Sequence, residues 1–168
     1  MDDPSSEACR SRCKCNPSAA RLAPLRACTA CAAPQPQTDP ETMTSETQMR
    51  QAMQAYIDAF NVSDPQAIAD LYADDATVED PVGSPVKSGK AEILKFYKMA
   101  VATGAKLALA APIRTSHGNS AAMAFDVKLN MPEGKAHIQV IDVMTFNDAG
   151  KFTSMRAFWG KSDMVMTP

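Results

Sequence analysis

Long apolar runs are missing from this 168-residue chain. No stretch approaches the ~20 consecutive apolar residues that a membrane-crossing helix needs, which excludes that class of protein. No compact apolar run follows the charges near the N-terminus, so no secretory signal is expected and a cytoplasmic location is. Charge of one sign is also scarce: 17 basic residues against 19 acidic ones leave a formal −2. So balanced a chain has no general attraction for nucleic acid or for an anionic membrane. Histidine is limited to His117 and His137, and neither has a metal-ligating partner at useful spacing. A Gly-rich phosphate loop, a P-loop and a G-x-S-x-G elbow are all lacking. Nucleotide, metal and serine-hydrolase chemistry therefore have no support.

Other deficits divide the chain. No aromatic residue precedes Tyr56, and no cysteine follows Cys31. Up to Thr42 the only large apolar residues are Met1, Leu22 and Leu25, while six prolines interrupt the segment. Such a stretch buries too little apolar surface to offset the entropy of ordering it. Residues 1–42 are therefore expected to be a disordered, cysteine-bearing extension, and 43–168 a single domain. Cys9, Cys13, Cys15, Cys28 and Cys31 have spacings a zinc site could use, but nothing apolar surrounds them to form even a small core. An unstructured tail is the simpler expectation.

Within the domain, helices come first. Ser45-x-x-Gln48 has the form of a capping box, and Met49, Met53, Tyr56, Ile57 and Phe60 follow at helical spacing. Ser63-Asp64-Pro65-Gln66 repeats the capping signal, and Ile68, Leu71 and Tyr72 mark a short second helix. Ala76–Glu79 reads as a short strand, and Asp80-Pro81-Val82-Gly83 as a turn. Gly89 precedes a third helix with Ile93, Phe96, Tyr97, Ala100 and Val101 on one face. Strands follow over 106–115, with Pro112 marking a bulge or edge, then over 121–129, 136–146 and 151–159. Helices followed by hairpin-connected strands predict an α+β fold, with the helices covering one concave face of an antiparallel sheet. A pocket would form between the two layers.

The most informative residue is Asp142. One face of its strand reads Ala136, Ile138, Val140, Asp142, Met144, Phe146, which places a carboxyl group in an apolar row. A buried, unpaired carboxylate is costly, and such a group avoids the cost by staying protonated, which makes it a hydrogen-bond donor. Periodicity leaves open a buried cationic or N–H partner instead. Asp80 is the second candidate. It closes an acidic run with Asp74, Asp75 and Glu79, most of which reads as solvated loop, but Pro81 and Val82 could hold and partly desolvate it. Tyr56, Tyr72 and Tyr97 are the only tyrosines, all on faces read as helical and apolar; their hydroxyls either converge on a pocket or are satisfied separately. Phe96, Met123, Phe125, Val140, Met155 and Trp159 are expected to supply an apolar lining.

Two motifs resemble the bacterial ketosteroid isomerases: Tyr72-Ala-Asp-Asp-Ala-Thr-Val-Glu-Asp80-Pro81 with Gly83, and Val140-Ile-Asp142-Val-Met-x-Phe146 with Met155 and Trp159. The resemblance runs from about Met49 to Trp159. It implies a cone-shaped, curved sheet of the nuclear transport factor 2-like group, a homodimer, and a steroid substrate handled without a cofactor. It also implies roles: Asp80 as the base that moves a proton from C4 to C6, Tyr56 and Asp142 as donors to the C3 oxygen, and Tyr72 and Tyr97 as a supporting network. Phe158 and Met131 depart from a tyrosine and a tryptophan found in one member. Two other readings use the same scaffold: a polyketide-cyclase-like or epoxide-hydrolase-like enzyme, and a steroid-binding module without catalysis.

Overall fold

The computed structural model describes residues 44–132 and 134–167; the proposed 1–42 extension and its cysteines lie outside the described residues. Helix α1 (Glu46–Asn61) begins as the sequence predicts. Ser45 Oγ accepts the Gln48 N–H, and Gln48 Oε1 accepts the Ser45 N–H, so two donors at the helix start are satisfied reciprocally. Met49, Met53, Tyr56, Ile57 and Phe60 form its buried stripe. At its other end the Asn61 side chain imitates a strand partner. It donates to Leu107 O at 2.9 Å and accepts from Leu107 N at 2.8 Å. This ties the last turn of α1, and with it the position of Tyr56, to the sheet.

Helix α2 (Pro65–Asp70) is capped by Asp64, whose carboxylate accepts from Gln66 N and Ala67 N. Ser63 instead adopts a positive φ of 59°, which removes it from the capping position that an S-x-x-Q reading assigns it. The helix ends before Tyr72, which begins strand β1 (Tyr72–Glu79) rather than closing a helical face. The local pattern Ile68, Leu71, Tyr72 fits either state, and the ladder to a distant strand decides between them. After β2 (Lys87–Ser88), helix α3 (Lys90–Ala102) starts at Gly89, whose φ of 84° suits glycine. Ile93, Tyr97 and Val101 are its buried row.

The remaining strands are β3 (Lys106–Leu109), β4 (Arg114–Thr115), β5 (Ser120–Met131), β6 (Gly134–Phe146), β7 (Phe152–Phe158) and β8 (Met164–Thr167). The single strand expected over 106–115 is broken into β3 and β4 around Pro112, which has no N–H for the ladder. Both pieces still pair with β5. Strand β8, absent from the sequence reading, returns to pair with the start of β6. The sheet order is β2-β1-β7-β6-β5-β3, with β4 on β5 and β8 on β6. All pairs are antiparallel except β1–β7, which is parallel. That one parallel pair carries the end of β1 beside the end of β7. The sheet's inner face and the three helices enclose one apolar core. No helix of the described residues is long and apolar enough to cross a membrane.

Candidate active site

Strand alternation does what the β6 sequence requires of it. Asp142 lies between Val140 and Met144 on the inner face, opposite Met123 of β5 and Ala157 of β7, and is 1% exposed. Its Oδ1 is buried with no hydrogen-bond partner among the described residues. Burial pushes its carboxyl well above the ordinary value of 3.8, and the negative charge of Asp80 adds to the rise. Burial thus favours the uncharged acid, the form that has a proton to donate.

This raised value has a consequence for stability. In the unfolded chain the group ionises near 3.8, while in the fold it keeps its proton to a higher pH. The folded state thus binds more protons across that interval, and stability falls as pH climbs through it. Asp142→Asn removes the titration with little change of shape. The variant's melting temperature, relative to the parent's, is expected to rise as pH is raised above about 4. Parallel melting curves across that range would show that Asp142 ionises normally in the fold.

The acidic run around Asp80 is resolved by position. Asp74 and Asp75 are exposed on β1. Glu79 accepts from Gly83 N at 2.8 Å and Arg156 Nε at 3.1 Å, which together hold its carboxyl below the ordinary range. Asp80 alone of the four lines the inner cavity. Register explains its setting. Glu79 pairs with Arg156, so Asp80 emerges beside the end of β7, and Val82 N donates to Ala157 O at 2.8 Å to anchor the turn. Trp159, immediately after β7, donates its indole Nε1–H to Asp80 Oδ1 at 2.8 Å. Lys87 Nζ stands over the Phe96 ring, 4.7 Å from its centroid, and donates to the Asp80 carbonyl at 3.3 Å. One carboxylate oxygen of Asp80 is thereby oriented; the other accepts no hydrogen bond from the described residues.

The three tyrosines do converge. The hydroxyls of Tyr72 and Tyr97 are 2.6 Å apart. Tyr97 meets the Tyr56 ring edge-on, with centroids 5.8 Å apart. Burial is the main reason that all three hydroxyls hold their protons well beyond the ordinary range; for Tyr56 the nearby Asp142 adds to the effect.

Tyr56, Asp80, Phe96, Tyr97, Phe125, Val140, Asp142 and Trp159 all line one cavity of about 280 Å³. That is near the lower end of the roughly 300–1,000 Å³ usual for small-molecule pockets. Tyr72 sits behind Tyr97, away from the cavity wall, and Met123 and Met155 are buried in the core outside the lining. Sequence reasoning did not single out Phe60, Thr103, Leu107, Val127, Leu129 and Ile138, which complete the wall with Ala100 and Ala105. Val127, Leu129 and Ile138 share strand faces with residues that were singled out, and this was the usable signal. His117 and His137 stay away from the site; His137 lies 2.9 Å from the Asp126 carboxylate.

A curved, unclosed sheet with helices folded over an apolar cavity is the nuclear transport factor 2-like arrangement. Within it the chain belongs to the SnoaL-like domain family, whose model matches residues 53–155. It is 41% identical over 121 residues to the steroid Delta-isomerase of Nocardioides simplex, a match spanning 72% of this chain and 97% of that one. Among solved structures it resembles SalBIII, an epoxide hydrolase/cyclase-like enzyme with a role in pyran ring formation in the polyether salinomycin. That likeness has a TM-score of 0.70 at 28% identity and covers 74% of this chain and 100% of the other.

Proposed function

We propose that this protein is a steroid delta-isomerase, an intramolecular isomerase converting 5-ene-3-oxo-steroids to 4-ene-3-oxo-steroids. The observation that carries the reading is a buried carboxyl group, Asp142, whose burial favours its uncharged form, sharing an apolar cavity with the phenol of Tyr56 and the carboxyl group of Asp80. Each has a place in the reaction. Asp80 takes a proton from C4, and the electron pair moves through the carbonyl to leave negative charge on the C3 oxygen. Tyr56 and Asp142 donate hydrogen bonds to that oxygen and stabilise the dienolate. Asp80 then returns the same proton to C6, and the double bond comes to rest in conjugation with the ketone. Proton and electrons balance without a co-reactant. Donors held ready in a water-poor cavity are effective because they need no reorganisation as charge develops. The Tyr72–Tyr97 pair orients the phenol from behind, and Trp159 orients the base.

The likeness to SalBIII supports a second reading, an epoxide-hydrolase-like or cyclase-like activity, in which paired carboxylates act on a different substrate. The experiment that separates them follows ultraviolet absorbance of 5-androstene-3,17-dione with purified protein. Rapid appearance of the conjugated enone is expected. No conversion despite steroid binding would favour a binding module, and no binding would favour the cyclase-like reading.

Residues 43–168 are proposed as the whole catalytic unit, acting in the cytoplasm as a homodimer. Ile141 and Phe158, cross-strand partners on the outer sheet face and 50% and 41% exposed, support a partner there. Removing residues 1–42 is expected to leave kcat/KM unchanged in the same assay; a large loss would place part of the site in that segment.

A further inference from the structure

Most polar side chains that line the active cavity belong to the catalytic cluster: Tyr56, Asp80, Tyr97, Asp142 and Trp159. Thr103 stands apart from them. Phe96, Ala100 and Thr103 follow one another at helical spacing along α3 and its C-cap, and all three line the cavity. Tyr97 packs edge-on against Tyr56, and Thr103 lies six residues further on, about 9 Å along the axis at the usual rise. The sheet agrees with the helix. Asp142 pairs with Met123, whereas Lys106, the first residue of β3, pairs with Lys128 near the other end of β5. Thr103 lies just before β3, beside the apolar lining of Ala105, Leu107, Val127, Leu129 and Ile138. Among the described residues it therefore carries the only polar side chain lining the end of the cavity remote from Asp142, and it is exposed at the rim.

Its hydroxyl is largely committed. Thr103 Oγ1 donates its proton to Ala100 O at 2.7 Å and accepts the Ala105 N–H at 3.3 Å. A hydroxyl has one proton and two acceptor positions. With the proton engaged and one acceptor position taken, Thr103 has the other acceptor position left for a ligand. It can receive a hydrogen bond from an alcohol. A ketone oxygen in the same place would meet a lone pair, and turning the proton toward it would break the 2.7 Å bond that closes α3.

We propose that Thr103 is a specificity-determining residue that selects 3-oxo-steroids bearing a hydroxyl group, rather than a ketone, on the ring remote from C3. The inference rests on the isomerase reading and refines its substrate class. The C3 oxygen sits between Tyr56 and Asp142, the fused rings lie along Phe125, Val140 and Ile138, and the 17β-hydroxyl donates to Thr103 Oγ1. The span from Tyr97 to Thr103 suits the length of a fused four-ring skeleton.

The test compares 17β-hydroxy-5-androsten-3-one with 5-androstene-3,17-dione and with the 17β-methyl ether, which keeps the oxygen but has no proton to donate. The alcohol is expected to exceed both in kcat/KM by about three- to tenfold, the usual contribution of one hydrogen bond, through KM rather than kcat. Thr103→Val should bring the alcohol-to-ketone ratio to about one, and Thr103→Ser should keep it. The ratio is taken within one preparation, so any loss of stability from the missing hydroxyl at the end of α3 cancels. Equal kcat/KM for alcohol and ketone in the parent overturns the proposal, as does an ether as good as the alcohol or a preference that survives Thr103→Val. If none of the three is converted, the isomerase reading fails separately. Binding then decides the role of Thr103: quenching of Trp159, the sole tryptophan, by the matching 4-ene-3-oxo alcohol and ketone should show the same preference, and equal affinities overturn it.

Discussion

Asp80→Asn is expected to lower kcat for steroid isomerisation by about 10²–10⁴-fold, the usual contribution of a positioned general acid–base group. The amide matches the carboxylate in shape, and its oxygen can still accept the Trp159 indole N–H that holds Asp80 at 2.8 Å. The loop remains tied to Ala157 through Val82, so the fold should persist. What the amide cannot do is take the C4 proton and release it again. Steroid affinity should change little, because the apolar wall supplies most of the binding area, so the loss should fall on kcat rather than KM. Turnover following enone absorbance, with a melting curve on the same preparation, makes the measurement. Parental turnover in a folded variant would remove Asp80 from the role of base and move the search to other carboxylates.

Asp142→Leu is expected to lower kcat by about 10²–10³-fold, the typical consequence of losing one donor to a developing oxyanion. Here stability and activity should diverge. Asp142 is 1% exposed with an unpartnered Oδ1, so replacing it with an apolar side chain removes a desolvation cost. The variant should melt no lower than the parent at pH 7 while losing most of its rate. A residue serving only to hold the core together would show the opposite: lower stability with the rate of the folded fraction preserved. Tyr56 remains as the second donor, so a further Tyr56→Phe substitution should cost less or more than the sum of the two alone, since both act on one oxygen. Unchanged kcat in Asp142→Leu would exclude it from the oxyanion site. The parent enzyme should lose activity on its alkaline side as the raised Asp142 carboxyl finally ionises and ceases to donate.

Helix α1 was legible because its information is local. Ser45 and Gln48 are three residues apart, and its buried row repeats with the helical turn. Asp142 was legible for the same reason, since alternation on β6 needs only its neighbours. Tyr72 was not. Its neighbours permit a helix end, while the ladder partner that makes it a strand is Phe152, 80 positions away in the chain (152 − 72). The role of Pro112 was legible in kind, a disruption, but not in extent. Strand β8 was missed because its edge pairing with β6 leaves every residue exposed, so no buried–exposed alternation betrays it.

By itself, then, the sequence determined the three-helix start, the strand-rich second half, and a carboxyl group that alternation drives into an apolar face. It favoured Asp80 over Asp74, Asp75 and Glu79 only by its place before Pro81 and Val82 and by family resemblance, because all four share one short acidic run. Tertiary structure chose, by pairing β1 in parallel with β7. That pairing spends Glu79 on Arg156 and Gly83, leaves Asp74 and Asp75 in solvent, and brings Asp80 under the indole of Trp159. The reason is one of range. Side-chain periodicity reports which face a residue occupies within its own element, whereas a site assembled from α1, β1, α3 and β6 depends on how those elements meet, and that is decided by packing across the whole core.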